Sequence, residues 1–316
     1  MPDYSVIHAD CVDGLKNVTK KVQLTVTSPP YYNVKDYVTY DSYSEYLKKL
    51  EDVFTLVYDI TDDARMCCVN ISNILIQRES RSSESKRIPL AFHFVPLMEK
   101  IGWKFIEDIV WIKPEGAVKN RNGGFYQHRQ PVAYKPNIIN EYIFIFQKPS
   151  KDLIDKVVRS YDAVVATNSK VEDDYERTNV WKINPETKVK HPAPYPEELV
   201  ERLIKYYSFV GDTVLDPFMG SGTTALVAYK LNRNSIGFEI HKEYIDLFEE
   251  RMKDILPNNL IKTIEFNADD YSGLTKDQTI KKLSKFSKKY LLTLLPRKKI
   301  SKADLIIQIC EFYLKI

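Results

Sequence analysis

Apolar positions along the chain follow two alternating patterns. Short runs with period two, or unbroken apolar runs of strand length, cover Tyr4 to Ala9, Val22 to Val26, Arg65 to Ile71, Phe105 to Ile112, Glu141 to Phe146, Val214 to Asp216 and Ile236 to Glu239; each predicts a strand. The run Glu141 to Phe146 alternates poorly, as expected of a strand buried on both faces. Longer segments with helical spacing lie between the strands. Ser44 to Asp62 places Leu47, Leu50, Phe54 and Val57 on one face. Ile88 to Lys100 has Pro89 in its first turn, where a missing N–H is tolerated. A third helix starts at Pro196, with Glu197 and Glu198 at the positive end of its dipole and Leu199, Leu203 and Tyr206 or Tyr207 facing inward. Helices over Ala225 to Leu231 and Lys242 to Ile255 complete the pattern. Alternating strands and helices predict an α/β fold, a doubly wound, mostly parallel sheet with helices on both faces. Cys67 and Cys68 then fall in the core.

Two strand ends carry chemistry. After Val22–Val26 comes Thr27-Ser28-Pro29-Pro30-Tyr31, where two prolines stop the ladder because neither has an N–H to donate. The resulting loop presents the Ser28 hydroxyl, the Pro29 carbonyl and the flat Tyr31 ring, a set suited to a planar base bearing an amino group; an ordinary turn is the plain alternative. After Val214 comes Asp216-Pro-Phe-Met-Gly-Ser-Gly-Thr, a strand and a glycine turn that opens a helix. Such a turn lets backbone approach a ligand closely. No Lys-Ser or Lys-Thr pair closes it as a phosphate-binding loop. Glu239, at the end of the next strand, is placed to bind the ribose hydroxyls of a nucleotide-like cofactor. Ser28, Asp216 and Glu239 each follow a strand, so all three are expected on the carboxyl edge of the sheet, where such folds bind ligands.

Polar stretches separate these elements. Asn33 to Ser44 is tyrosine-rich and aperiodic, either a lid over the site or a long surface loop. Gln77 to Arg87 reads as a flexible loop. Lys113 to Lys135 holds five cations, among them Lys119, Arg121 and Arg129, against the single acid Glu115, with Gly, aromatic and amide residues interleaved. That mixture suits phosphate contact and base-edge reading. From Leu274 to Ile316 there are eleven Lys and Arg against three acids; with the whole chain at +3, the rest carries −5. Thr275 to Leu295 fits one amphipathic helix with Lys281, Lys282, Lys285, Lys288 and Lys289 gathered opposite its apolar face, and Ala303 to Leu314 reads as a second helix. Its lysines are either merely solvated or, the reading preferred here, laid along a nucleic-acid backbone that the acidic body cannot approach unaided.

The two motifs together resemble the amino-methyltransferases of DNA, which use S-adenosylmethionine. Ser28-Pro29-Pro30-Tyr31 resembles the catalytic motif of the cytosine-N4 enzymes, since the adenine-N6 enzymes more often carry Asp or Asn at the Ser28 position. The Asp216 motif resembles their cofactor loop, and the order, catalytic loop first, resembles the beta group. The likeness covers roughly residues 4 to 255. It implies a Rossmann-like methyltransferase domain over residues 1–256, followed by a basic helical extension over 257–316. It implies catalysis by Ser28, Pro29, Pro30 and Tyr31, and cofactor contacts from Asp216, Phe218, Gly220, Gly222, Thr223 and Glu239. Asp10 would meet the adenine amino group, although the residue also reads as a helix cap. The segment around His191 would meet the methionine end. Target recognition is implied within 149–190, in addition to the 113–140 loop read from its composition. Contacts to double-stranded DNA are expected from Lys119, Arg121, Arg129, Lys281, Lys285 and Lys288, and a cognate restriction endonuclease is an implied partner.

Composition narrows the class further. The 316 residues are 44% hydrophobic, ample for a core, with no apolar run long enough to span a membrane. Met-Pro-Asp-Tyr at the start carries no signal-peptide pattern, and the four cysteines lack Cys-x-x-Cys spacing, so a cytoplasmic, reduced protein is expected. The five histidines show no metal-ligand spacing. No Pro-Cys pair is present, which argues against thiolate catalysis on a cytosine ring carbon. Adenine-N6 methylation is the nearest rival. A silent DNA-binding module is opposed by the intact motifs, a serine hydrolase by the missing Gly-x-Ser-x-Gly turn, and an RNA or protein methyltransferase by motif order and Ser28.

Overall fold

The computed structural model describes residues 2–32, 40–76, 86–117, 131–132, 136–171, 176–186, 195–253, 255 and 263–264. Its strands are β1 (Tyr4–His8), β2 (Val22–Thr27), β3 (Thr61–Ile71), β4 (Ile74–Ile76), β5 (Lys86–Ile88), β6 (Lys104–Ile112), β7 (Asn140–Gln147), β8 (Val180–Lys182), β9 (Thr213–Asp216), β10 (Asn234–Glu239) and β11 (Thr263–Ile264). Nine of them form one sheet in the order β11-β1-β10-β9-β2-β3-β7-β6-β8. Only β7 runs against the others, antiparallel to both β3 and β6. The remaining described pairings of this sheet are parallel. A hairpin of β4 and β5 stands apart. The expected 77–87 loop therefore ends earlier than its polarity suggests, because Lys86 and Arg87 pair with β4.

Three helices cover one face: α1 (Cys11–Leu15), α2 (Tyr43–Ile60) and α3 (Leu90–Ile101). Another three cover the opposite face: α6 (Glu197–Tyr207), α7 (Thr223–Lys230) and α8 (Lys242–Lys253). Two short helices, α4 (Ile154–Arg159) and α5 (Ala163–Asn168), lie in the stretch expected to be unpatterned. Helix α2 starts because the Ser42 side chain accepts from Glu45 N at 3.1 Å while the Glu45 carboxylate accepts from Asp41 N at 2.9 Å. Its buried residues are Tyr46, Leu50, Val53, Phe54 and Val57. The inner face is thus turned from the expected one; Leu47 only borders the core, and the Tyr46 ring fills its centre. Helix α3 tolerates Pro96 in its body and ends at Gly102, whose φ of 118° suits a residue without a Cβ.

The chain leaves β2 through α2 toward β3 and leaves β9 through α7 toward β10, in opposite directions along the sheet and on opposite faces. The carboxyl ends of the neighbouring strands β2 and β9 therefore flank the topological switch, where a crevice must open. Cys67 and Cys68 are fully buried, as expected. Among the described residues no helix is long and apolar enough to cross a membrane.

Candidate active site

A cavity of about 600 Å³ opens at that switch, within the range of small-molecule sites. Ser28, Pro29, Pro30 and Tyr31 from the β2 loop line it, together with Phe218, Gly220 and Thr223 from the β9 turn and Glu239 from β10. The two motifs, nearly two hundred residues apart in sequence, are joined directly: Thr27 Oγ1 donates to Asp216 Oδ1 at 2.7 Å.

Asp216 itself lies beneath the cavity and is 1% exposed. Oδ1 also accepts from Phe218 N at 3.1 Å, and Oδ2 accepts from Tyr195 Oη at 2.9 Å and Thr224 Oγ1 at 2.7 Å. Four donors thus occupy its carboxylate and hold the glycine turn to β2. Burial pushes the carboxyl above its ordinary range, against the pull of those donors. Gly222 also lies outside the cavity lining. Its φ is 76°, and a Cβ there would come within 2.1 Å of the Phe248 ring, so close packing of α7 on α8 explains this glycine. Arg251 of α8 braces the same turn, donating to Ser221 O at 2.7 Å and Thr223 Oγ1 at 3.2 Å while pairing with Glu197 at 3.1 Å.

Glu239 differs in facing the cavity. Oε1 accepts from Ile240 N and His241 N, both at 2.9 Å, and Oε2 accepts from Gly220 N at 2.8 Å. One acceptor site of Oε2 is left for a hydroxyl entering the cavity. Burial raises this carboxyl as well, with the backbone N–H groups opposing. Asp10 caps α1 by accepting from Val12 N at 2.8 Å and pairs with Lys49 at 2.9 Å, both residues of that pair lining the cavity. Cys11 beside it is held as a thiol, its pKa pushed up to about 12 by burial.

Sequence reasoning missed what stands behind Ser28. Asn70, near the end of β3, donates through Nδ2 to Ser28 Oγ at 3.3 Å and to Glu141 Oε2 at 2.7 Å. Tyr31 Oη donates to the same Glu141 oxygen at 3.3 Å and is also hydrogen-bonded to Ser28. Burial, reinforced by Glu141, keeps the phenol protonated. Lys113 Nζ pairs with Glu141 Oε1 and stands 4.5 Å from the Trp111 ring centroid. Asn70, Trp111, Lys113, Glu141 and Tyr195 all line the cavity. The available signal was a polar residue inside an otherwise apolar strand, Asn70 in Cys-Cys-Val-Asn-Ile, and an acid opening a strand buried on both faces.

His191, Lys119, Arg121, Arg129, Lys281, Lys285 and Lys288 lie outside the described residues, as do most of the expected 33–44 lid and the C-terminal extension. Among the described residues no group of His, Cys, Asp and Glu could hold a metal ion.

The model of a family described as DNA methylase matches residues 22–250 of this chain. The Type II beta methyltransferase M.BslI of Bacillus sp. (strain NEB-606) is 28% identical over 271 residues, covering 83% of this chain; the chain spans only 29% of that relative's length. Among solved structures, the DNA modification methylase TTHA0409 of Thermus thermophilus, complexed with S-adenosyl-L-methionine, superposes with a TM-score of 0.69 at 24% identity, over 84% of this chain and 99% of that one. The PvuII DNA methyltransferase (cytosine-N4-specific) superposes with a TM-score of 0.58 at 21% identity, over 83% and 89% of the two chains. At these identities the two structures speak for the fold.

Proposed function

The chain belongs to the DNA methylase family, and on that premise we propose that it transfers a methyl group from S-adenosyl-L-methionine to the exocyclic N4 of a cytosine flipped out of duplex DNA. The observation that carries this reading is the shared cavity, in which the Ser28 hydroxyl and Pro29 carbonyl lie opposite the Glu239 carboxylate. The donor set suits the cofactor: Glu239 has an acceptor site for a ribose hydroxyl, Asp10 retains acceptor capacity for an amino group, and the Gly220 turn leaves backbone at the wall. When bound, S-adenosyl-L-methionine supplies an electrophilic methyl group.

The chain's own residues prepare the other reactant. A base inside a duplex cannot reach this crevice, so it is extruded at a cost of a few kcal/mol, and stacking against Tyr31 returns about 1–3 kcal/mol. The N4 lone pair is delocalised into the ring and is a poor nucleophile. Hydrogen bonds from the amino group to Ser28 Oγ and the Pro29 carbonyl draw that nitrogen toward sp³ character and direct its lone pair out of the ring plane. Asn70 and Tyr31 fix the Ser28 hydroxyl beforehand, leaving one lone pair of Oγ for the incoming amino group. Positioning of this kind supplies much of the rate.

The Type II designation of M.BslI supports a further element, a modification enzyme partnered by a restriction endonuclease. The test is incubation of the full chain with tritiated cofactor and unmethylated DNA, followed by nucleoside analysis. Labelled N4-methylcytosine is expected. Labelled N6-methyladenine would overturn the choice of base, and unlabelled DNA would overturn the reading as a whole.

A further inference from the structure

We propose that Lys113 determines which base is accepted, by donating a hydrogen bond to the O2 carbonyl of the flipped cytosine. This rests on the cytosine reading above. The Watson–Crick edge of cytosine presents, in order, an amino donor, the N3 acceptor and the O2 acceptor. Adenine presents an amino donor, the N1 acceptor and then a C–H. Enzymes that extrude a base read it along this edge, so the third position separates the two.

The wall of the cavity offers a matching order. Ser28 Oγ and the Pro29 carbonyl accept at one end. Asn70 follows, but its two N–H groups are committed to Ser28 Oγ at 3.3 Å and Glu141 Oε2 at 2.7 Å. Glu141 comes next, and Lys113 is the far end of the chain, paired with Glu141 Oε1 and packed on the Trp111 face. An ammonium carries three N–H donors; Glu141 takes one, and no second hydrogen-bond acceptor is present among the described residues. The Lys113 side chain is 19% exposed and that of Glu141 17%, and both line the cavity. The remaining donors can therefore meet a bound base. Glu141 neutralises the cation, so the site presents donors to a neutral base without an uncompensated charge. Adenine would set its C–H against the ammonium, and a site built to hydrogen-bond a group discriminates strongly against an analogue lacking it.

The alternative is that the ion pair only fastens β6 to β7 below the 113–140 loop. A base analogue separates the two. Once the methylated sequence has been mapped with the full chain, duplexes are made with the target cytosine or with 2-thiocytosine, whose sulfur is a weak acceptor. The wild type is expected to lose about 10- to 100-fold in kcat/KM on the thio duplex, the range of a charged hydrogen bond. Lys113→Met should lose a similar factor on cytosine, keep its cofactor affinity within about twofold, and lose less than about twofold more on the thio duplex, because the two changes remove one contact. A wild type indifferent to sulfur, or an equal sulfur penalty in both enzymes, overturns the proposal. If Lys113→Met fails to fold, the wild-type comparison still decides against the proposal when sulfur has no effect, and Lys113→Arg, which keeps the donor, should retain the sulfur penalty. N6-methyladenine in the initial mapping would instead defeat the cytosine reading, before any Lys113 measurement is made.

Discussion

Replacing Asp216 tests whether the acid of the glycine-turn motif touches the cofactor or builds the turn. Its carboxylate accepts from Thr27, Phe218, Tyr195 and Thr224 at 2.7–3.1 Å while 1% exposed. Asp216→Ala leaves three hydroxyls and one amide without this acceptor. Orphaning a buried donor costs about 1–3 kcal/mol. Two offsets apply: Tyr195 and Thr224 already hydrogen-bond each other, and a carboxylate whose burial was unfavourable is removed. A net loss of about 3–5 kcal/mol follows, or roughly 6–12 °C in melting temperature for a chain of this size. Asp216→Asn keeps one oxygen for Thr27 and Phe218 and turns an amide toward two hydroxyls that can rotate to accept; about 1–2 kcal/mol is expected. Because Asp216 does not line the cavity, the Asn variant should bind S-adenosyl-L-methionine within about threefold of wild type. Denaturant melts give the stabilities and titration calorimetry the affinity. An Asp216→Asn protein with wild-type stability and a tenfold weaker cofactor would refute the reasoning and place this carboxylate in contact with the ligand.

Other perturbations probe the remaining parts. Ser28→Ala should keep cofactor binding and lose about 10²-fold or more in single-turnover methylation; an unchanged rate would remove Ser28 from the chemistry. Glu239 holds its proton more tightly in the folded state than in the unfolded chain, since burial raises its pKa. Its contribution to stability is therefore full at low pH and lost as pH rises through the raised pKa. Cofactor affinity should run the opposite way, falling on acidification at a pH above the ordinary value of 4.5, and Glu239→Gln should abolish that dependence in calorimetry. Gly222→Ala combines a φ of 76° with a 2.1 Å approach to Phe248 and should cost about 2–4 kcal/mol in denaturant melts. Truncation after Gly273 should spare cofactor binding and flatten the slope of log K for DNA against log salt by about three to four units; an unchanged slope would exclude phosphate contacts by the tail.

What could be read from the chain depended on how local each determinant is. Ser28 and Glu239 were legible because each ends an apolar strand, and parallel strands put all such ends on one edge. Helix α2 was legible as a helix but not in its orientation, since Tyr46 buries its ring where Leu47 was expected and a tyrosine carries no clear sign of which face it takes. Asp10 satisfies both readings of its sequence context, capping α1 while lining the cavity. The strand β8 was invisible because three residues pairing only with β6 leave no periodicity to detect. Lys113 was visible only as one charge in a basic loop, and its pairing with Glu141 required knowing that β6 and β7 are neighbours.

That pairing also bears on how the reaction loses its proton. Glu141 is the carboxylate linked to Ser28, through the Asn70 amide and the Tyr31 phenol. Neither link makes it a base for the reaction. An amide N–H does not relay a proton, and burial keeps the phenol from ionising. Lys113 further holds Glu141 in its anionic form by direct pairing. The group therefore acts as a rigid frame, fixing the orientation of the Ser28 hydroxyl. Methyl transfer to an amino nitrogen leaves a cationic product whose proton is acidic enough to depart to water, so a frame that aligns the lone pair meets the chemical need without a strong base.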